Sequence, residues 1–384
     1  MTTTTTRPPI WRDVRVLSWA FQIAVVAVVV AVVWYFVGNY YENAEAQNLN
    51  TGLEFLDQPA GFPIPSSDFR QSQPVQDAIV EGLKNTLRLA ITGIVLATVL
   101  GTVIGVARLS SNFILRTAAR AYVEIVRNVP LLVLVWLAFA AIVLNAFPPP
   151  NDSWELGPIA VLNVRGANVF WYEGQNWKFA AVVAVTLLTL WAVARWRRHV
   201  ADVTGRPARS GLWALAAGAI VLAVAWVVLG LGATAPELEG RRVSGGITMT
   251  PAYFAALLAL VVYTASHIAE IVRASIQAVP RGQGEAADAL ALSGFQRLWY
   301  VVLPQAMRIG VPPTGNQYLN LTKNSSLAAV ISFPELTKVT QLAVATRAPA
   351  VPSYVLLLLI YLVLSLVISL IVNLFNRRLA IVER

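Results

Sequence analysis

The chain alternates between long apolar runs and short polar segments. Seven runs are long enough to cross the hydrocarbon core of a bilayer, which takes about 20 apolar residues in a helix. They cover 20–37, 86–107, 122–145, 178–195, 211–232, 250–272 and 353–376. An eighth and weaker run, at about 324–345, contains Pro334, Glu335 and Lys338. The pattern predicts an all-α membrane protein with about eight transmembrane helices.

Composition supports a lipid environment. Of the 384 residues, 57% are hydrophobic and only 13% are charged, against about 25% charged in a soluble domain. The net charge of +9 does not indicate a nucleic-acid partner, because the basic residues are spread over short loops between the apolar runs. With no cysteine and only His199 and His267, a disulfide framework, thiol chemistry and a Cys or His metal cluster are excluded.

Loop charges predict the orientation. If all eight runs span the membrane, both termini lie on one side, and the loops of that side hold 18 Lys and Arg against seven on the other. Cytoplasmic loops carry the excess of Lys and Arg, so we expect cytoplasmic termini. Omitting the weak run would break this asymmetry. The first run, which ends before Ala44-Glu45-Ala46, resembles a signal sequence, but at about 18 residues it exceeds the usual apolar length. We interpret it as a retained anchor.

Small residues line one face of the second run, at Gly93, Ala97, Gly101 and Gly105. A spacing of four forms a stripe on a helix, where another helix can approach closely. The stripe predicts tight packing, either within this chain or against another subunit.

The polar segment 280–308 predicts a helical hairpin. Helix-favouring residues run from Glu285 to Leu292, Ser293-Gly294 interrupts them, and a second helix from Phe295 would be stopped by Pro304. Ala286, Ala287 and Ala289 leave a narrow surface, as a helix that docks into a groove requires.

At this segment the chain resembles the permease subunits of binding-protein-dependent ABC importers. Their signature is Glu-Ala-Ala, three residues, Gly, nine residues, an aliphatic residue, any residue and Leu-Pro. The chain has Glu285-Ala286-Ala287, Val301 and Leu303-Pro304 at that spacing, but Ala291 at the glycine, with Gly294 three residues later. The resemblance implies an ATPase-coupling segment at 280–304, with the coupling residues Gly282, Glu285, Ala286, Ala287, Ala291, Gly294, Leu303 and Pro304.

Other segments are similar to the polar amino-acid uptake branch of that family. They include Gly82–Leu87, Tyr122–Leu132, Ile268–Arg273, Gly315–Leu327 and Phe333–Leu336, in the family's order. The resemblance implies a type I ABC importer permease-like bundle in the bacterial inner membrane, importing polar L-amino acids. Residues 20–79 and the helix pair within 146–249 resemble the longer general amino-acid permeases.

The resemblance also implies a division of the chain and a set of partners. The division is a cytoplasmic tail at 1–19, an extra anchor and periplasmic segment at 20–79, permease core at 80–145 and 250–376, periplasmic loops with an extra helix pair at 146–249, and a cytoplasmic tail at 377–384. The partners are a cytoplasmic ABC ATPase dimer, a periplasmic amino-acid-binding protein and a second permease, in a heterodimer rather than a homodimer. The chain has no phosphate-binding Gly-x-x-x-x-Gly-Lys-[Ser/Thr] loop, so we expect ATP and Mg on the ATPase and no cofactor or catalysis here.

Polar residues near the spans are candidates for the path, because intramembrane ionisable groups are costly and usually functional. The polar stretch before Pro334, with His267 and Glu270, could line the pathway, while Glu124 with Arg127 and Glu270 with Arg273 could be gate contacts or structural ion pairs. The alternative for the stretch is that it stabilises the break at Pro334. For His267 it is a hydrogen bond between helices. The stretch comprises Asn320, Lys323, Asn324, Ser325 and Ser326.

Two other classes compete with this interpretation. An ion-coupled secondary transporter would need carboxylates in several spans and an internal repeat, but only Glu124 and Glu270 are candidates. A membrane scaffold would leave the hairpin at 280–304 unexplained.

Overall fold

The computed structural model describes residues 13–47, 50–65, 67–205, 210–240 and 242–379. Most of the predicted tail at 1–19 and the end of the tail at 377–384 lie outside these residues. The twelve α-helices of the described part are α1 (Val14–Ala46), α2 (Val75–Ala107), α3 (Phe113–Asn128), α4 (Leu131–Leu137), α5 (Asn176–Thr204), α6 (Ser210–Val228), α7 (Pro251–Gln277), α8 (Arg281–Ala289), α9 (Gly294–Arg297), α10 (Leu303–Asn324), α11 (Leu336–Thr346) and α12 (Ala350–Leu379).

The predicted membrane spans appear as single helices and bent pairs. Within the described part, α1, α2, α5, α6, α7 and α12 are each long and apolar enough to cross a bilayer. Two bent helix pairs bring the number to as many as eight. The prediction of about eight spans in a mostly helical membrane protein is therefore confirmed.

The third predicted span, 122–145, is not one straight helix, and the prediction was wrong on this point. Helices α3 and α4 meet at an angle of 104°. Val129, between them, has extended backbone angles (φ −93°, ψ 128°), because the ring of Pro130 disfavours the helical conformation of the residue before it. After Leu137 the chain continues as a π-helical turn, Ala138–Val143.

The eighth predicted span is broken, as Pro334 indicated. Helix α10 passes into a 3₁₀ segment, Ser325–Ile331, and α11 follows after a break at residues 332–335. The helical stretch before the break and α11 are bent by 46°. Ser332, at the break, has a left-handed backbone (φ 60°), which is strained for a residue with a side chain.

Pro304 does not stop the helix before it, so this prediction was wrong. A π-helical turn, Leu298–Val302, joins α9 to α10, and Pro304 lies in the first turn of α10. The proline and the π-turn directly before it are irregularities that bend a helix without ending it.

Side chains of α2 and Glu335 satisfy the backbone of the break at residues 332–335. Asn85 Nδ2 donates to the carbonyl of Pro334 (2.9 Å), and Thr86 Oγ1 accepts from the N–H of Leu336 (3.1 Å). The fully buried carboxylate of Glu335 accepts from the N–H groups of Thr337 and Lys338 (both 2.8 Å). A broken span is tolerated in a bilayer only when its freed backbone groups find such partners.

The small-residue stripe of α2 packs within the chain. A Cβ atom at Gly101 would lie 2.7 Å from Cβ of Ile268 on α7, and one at Gly105 would lie 2.8 Å from the carbonyl oxygen of Ala269. Both distances are too short for a side chain. Of the two alternatives for the stripe, the structure therefore shows the contact inside the subunit.

Short strands, which the sequence did not indicate, occur between residues 154 and 249. They are β1 (Trp154–Glu155), β2 (Ala160–Asn163), β3 (Gly166–Val169), β4 (Trp171–Glu173), β5 (Gly232–Thr234), β6 (Glu237–Glu239), β7 (Arg242–Ser244) and β8 (Ile247–Met249). One antiparallel sheet has the order β1-β2-β3-β8, while β4 pairs with β5 and β6 with β7. The register of β3 with β8 places Ala167 opposite Met249. These pairings connect the loop before α5 with the loop before α7.

The chain divides into two compact units. The smaller comprises the described residues up to Ile64, Asp68–Val80 and Val339–Tyr361. It buries Phe62 and Phe69 with their ring centroids 6.4 Å apart. The larger unit holds the rest of the described chain, including the contacts between α2 and α7 and both bent pairs as far as Lys338.

We predict that Thr86→Val destabilises the protein more than Thr86→Ser. The valine keeps the volume but removes the hydroxyl oxygen that accepts from the buried N–H of Leu336, which costs about 1–3 kcal/mol. The serine keeps the hydroxyl and loses one methyl group, worth about 1 kcal/mol. Thermal unfolding of the two purified variants in detergent compares them, and an equal or higher midpoint for Thr86→Val would contradict this role of the hydroxyl.

Candidate functional site

A cavity of about 660 Å³ lies beside the broken span, within the larger unit. Its walls come mainly from α2, the first turn of α7, the break, and strands β4 and β8. Polar side chains on the wall include Asn85, Arg88, Thr92, Tyr253 and Ser332. Sequence reasoning did not single out this set, because three segments far apart in the sequence contribute to it.

The chain positions these groups by local bonds. Asn85 and Arg88 are three residues apart on α2 and therefore share a face. The hydroxyls of Thr92 and Tyr253 are 2.9 Å apart, which joins α2 to α7. Thr250 caps α7 by accepting from the N–H of Tyr253 (3.1 Å). The hydrogen bond from Asn85 to Pro334 attaches this wall to the break.

A second cluster surrounds Glu270 on α7. Its carboxylate forms ion pairs with Arg273, one turn along the same helix, and with Arg108 just beyond α2. Arg108 has only 10% of its side chain exposed, and Arg273 also donates to Gln277. The pair of Glu270 with Arg273 was predicted from its spacing. Arg108 was missed because it is 162 positions away in sequence.

Glu124 and Arg127 are placed differently. Both side chains are exposed on α3, and no ion pair joins them in this structure, although both belong to the described residues. Arg273 and Glu270 thus form the ion pair that the spacing suggested, while the matching pair on α3 does not. A gate role for either pair stays a prediction.

His267 is partly buried on α7. Its ring centroid lies 4.7 Å from that of Tyr263, and its Nε2 is buried with no hydrogen-bond partner among the described residues. It does not line the cavity beside the break. The structure therefore shows no interhelical hydrogen bond at Nε2, and a place on the transport path stays a prediction.

The polar stretch before the break is arranged along the end of α10. Ser325 is fully buried, and its hydroxyl donates to the carbonyl of Thr322 (2.7 Å). Ser326 donates in the same way to Lys323 (2.8 Å). These two bonds satisfy carbonyls where α10 tightens into the 3₁₀ segment, which favours the stabilising alternative for the serines. Asn320 and Lys323 are exposed and Asn324 is half-buried. The cavity lining includes none of the five residues.

The segment 281–303 forms the predicted hairpin with one change in its turn. The break comes at residues 290–292, and Ser293 caps α9 in a reciprocal capping box with Gln296. The carboxylate of Asp288 accepts two hydrogen bonds from Nη1 of Arg297 (2.8 and 3.0 Å), which ties α8 to α9. Glu285, Ala286 and Ala289 are exposed, as are Gly282 and Gly294.

Ala287 does not belong to the exposed surface predicted for α8. Only 2% of it is exposed, so it faces the chain itself, while the alanines on either side of it in the segment, Ala286 and Ala289, face outwards. The exposed surface of α8 is therefore narrower than the three alanines indicated.

The sequence of the chain matches a known family of membrane proteins. Residues 93–381 match the family described as binding-protein-dependent transport system inner membrane component. The chain belongs to this family. A member of the family works with a binding protein and an ATPase, and it crosses the membrane several times. The comparisons lend no support to an ion-coupled secondary transporter.

Individual relatives match over nearly the whole chain. A putative amino-acid ABC transporter permease, YhdX of Escherichia coli K12, is 37% identical over 96% of this chain and 95% of its own length. The general L-amino acid transport system permease AapQ of Rhizobium johnstonii is 36% identical, covering 97% and 94%. The glutamate/glutamine/aspartate/asparagine transport system permease BztB of Rhodobacter capsulatus is 34% identical, covering 97% and 96%.

The turn of the hairpin explains the position of the family's signature glycine. Ala291 has a left-handed backbone (φ 53°). Its N–H donates to the carbonyl of Asp288 (2.9 Å), and the N–H of Leu292 donates to that of Ala287 (3.1 Å). This is the Schellman motif, in which glycine is the usual residue. This permease makes the turn with alanine at the strained position.

We predict that Ala291→Gly stabilises the hairpin turn by about 1 kcal/mol, because glycine adopts the left-handed conformation without the steric cost of a Cβ atom. Hydrogen exchange of the Leu292 amide should slow about 5-fold, the equivalent of 1 kcal/mol. Ala286→Gly, inside α8 and exposed, is the matched control and should speed exchange, since glycine destabilises a helix interior. Equal effects of the two glycines would contradict the assignment.

We predict that Glu270→Gln lowers the stability of the permease by about 2–3 kcal/mol, because it leaves Arg108 and Arg273 without the carboxylate with which both are paired. Glu124→Gln is the control, since that exposed carboxylate has no such partner, and it should change stability by less than about 0.5 kcal/mol. Thermal unfolding in detergent measures both. Similar midpoints for the two variants would show that the cluster does not stabilise the fold.

Proposed function

We propose that this permease is the transmembrane subunit through which polar L-amino acids are imported at the expense of ATP hydrolysed by a separate ATPase. The observation that carries the proposal is the match of nearly the whole chain to permeases whose names specify amino-acid transport. Motif segments on α2, α3, α7 and α10 support it, because they resemble the polar amino-acid branch.

In this proposal the hairpin α8–α9 docks into the ATPase. Its exposed face around Glu285 is small, as insertion into a groove requires. The Schellman turn and the pair of Asp288 with Arg297 hold its two arms together. The second arm continues through the π-turn into α10. A displacement of the hairpin is therefore transmitted along α10 towards the broken span, and this couples ATPase dimerisation to the change between inward- and outward-facing states.

The proposal also specifies the orientation of the chain in the membrane and its other partners. Both termini and the hairpin lie in the cytoplasm, and the distribution of Lys and Arg supports this orientation. A periplasmic binding protein delivers the amino acid, and a second permease completes the transmembrane dimer. ATP and Mg bind the ATPase subunits, and the permease itself catalyses no covalent step.

Uptake by the reconstituted complex tests the proposal. Vesicles that contain the permease, its partner permease and the ATPase should take up labelled amino acids only with internal ATP and external binding protein. Uptake driven by an ion gradient without ATP, or no uptake of any amino acid, would overturn it. Competition with acidic, neutral and basic amino acids defines the range of substrates.

We predict that Glu285→Arg abolishes ATP-driven uptake while the protein stays folded in the membrane, because it reverses the charge of the exposed docking face. Glu237→Arg, on β6 and also exposed, is the control and should transport normally. Uptake in vesicles and retention of the ATPase during purification are the measurements. Normal uptake by the Glu285 variant would remove the coupling role of α8.

A further inference from the structure

Arg88 is a charged residue within a membrane-spanning helix, and no acidic residue of the described ranges pairs with it. It lies near the middle of α2, and its side chain lines the cavity beside the break. It takes part in no ion pair within the described part of the chain, whereas Lys84, one turn earlier, pairs with Glu81 (2.6 Å). An ionisable residue in a span is costly, and a cavity is where such a residue serves a function.

The cavity around Arg88 has the size and composition of a small-molecule site. Its volume of about 660 Å³ falls in the range of about 300–1,000 Å³ typical of ligand pockets. Aromatic rings form much of the wall, among them Trp171, Tyr253 and Phe333, and hydroxyl groups of Thr248 and Ser332 are also present. No Asp or Glu is among the lining residues of this described region. The guanidinium of Arg88 therefore makes the cavity positively charged.

We infer that this cavity is an amino-acid site of the permease, in which Arg88 binds a carboxylate of the substrate and selects amino acids with acidic or neutral side chains over cationic ones. The inference rests on the proposed function and names the substrate class of that path. A guanidinium matches a carboxylate with two parallel hydrogen bonds. The same fixed positive charge repels the side chain of lysine or arginine, which supplies discrimination by an unfavourable contact.

The position of the cavity couples this site to the moving part of the chain. Asn85, one turn before Arg88, bonds to Pro334 at the break, and Ser332 and Phe333 of the break form part of the wall. A movement of α10 that shifts the break therefore changes the cavity. Binding of a ligand in the cavity is therefore linked, through α10, to the position of the hairpin α8–α9.

Binding of labelled glutamate, glutamine and lysine to the purified complex of permease, partner permease and ATPase tests the inference. The binding protein is left out, so that its own selectivity does not enter. The wild-type complex should bind glutamate and glutamine at least about 10-fold more tightly than lysine. Arg88→Gln should weaken glutamate binding about 10-fold or more, the effect of losing a charge-assisted hydrogen-bonded pair, and should reduce the preference over lysine.

Two further variants distinguish a loss of substrate selectivity from a loss of the folded structure. Arg88→Lys keeps the charge and should retain the preference for glutamate over lysine with weaker binding, while Lys84→Gln, on the same helix but outside the lining, should behave as wild type. An unchanged ratio of glutamate to lysine binding in Arg88→Gln would overturn the inference, as would millimolar glutamate and glutamine failing to bind the wild-type complex. If the wild-type complex also imports no amino acid with its binding protein, the proposed function falls as well. Import with an unchanged ratio refutes only the role of Arg88.

Discussion

The structure depends on satisfying the polar backbone of a span that does not cross the membrane as one helix. At residues 332–335 the helical hydrogen bonds stop, and lipid offers no replacement partners. Asn85, Thr86 and Glu335 supply them, two from α2 and one from the break itself. The break can therefore exist only where α2 lies alongside it. That requirement places the polar face of α2 next to the cavity and fixes Arg88 on its wall.

Charged side chains serve three separate purposes in this permease. Around Glu270 one carboxylate pairs with two arginines, Arg108 just beyond α2 and Arg273 near the end of α7. In the hairpin, Asp288 and Arg297 hold two short helices together, which alone are too short to be stable in water. Arg88 has neither kind of partner in the described structure. The charges that pair with each other stabilise the structure, whereas the guanidinium of Arg88 faces the cavity and serves to bind a ligand.

The hairpin shows how a departure from a family signature can leave the geometry intact. With alanine at position 291, the chain still forms both hydrogen bonds of the Schellman turn. The strain of a Cβ atom at positive φ is of the order of 1–2 kcal/mol. It is offset by the capping box at Ser293 and the ion pair between Asp288 and Arg297. Neighbouring contacts thus preserve the turn without the glycine.

The number of spans, the mostly helical fold, the break at Pro334, the pairing of Glu270 with Arg273 and the family could all be predicted from the sequence. Each depends on hydrophobic length, on spacing within one helix or on a contiguous motif. The right-angle bend at Pro130, the strands between 154 and 249, the continuation of the helix past Pro304, Arg108 beside Glu270 and the cavity at Arg88 emerged only in the tertiary structure. Strands of two to four residues have too little periodicity to recognise. Partners far apart in sequence meet only because packing between helices, rather than any local preference, decides which faces are in contact.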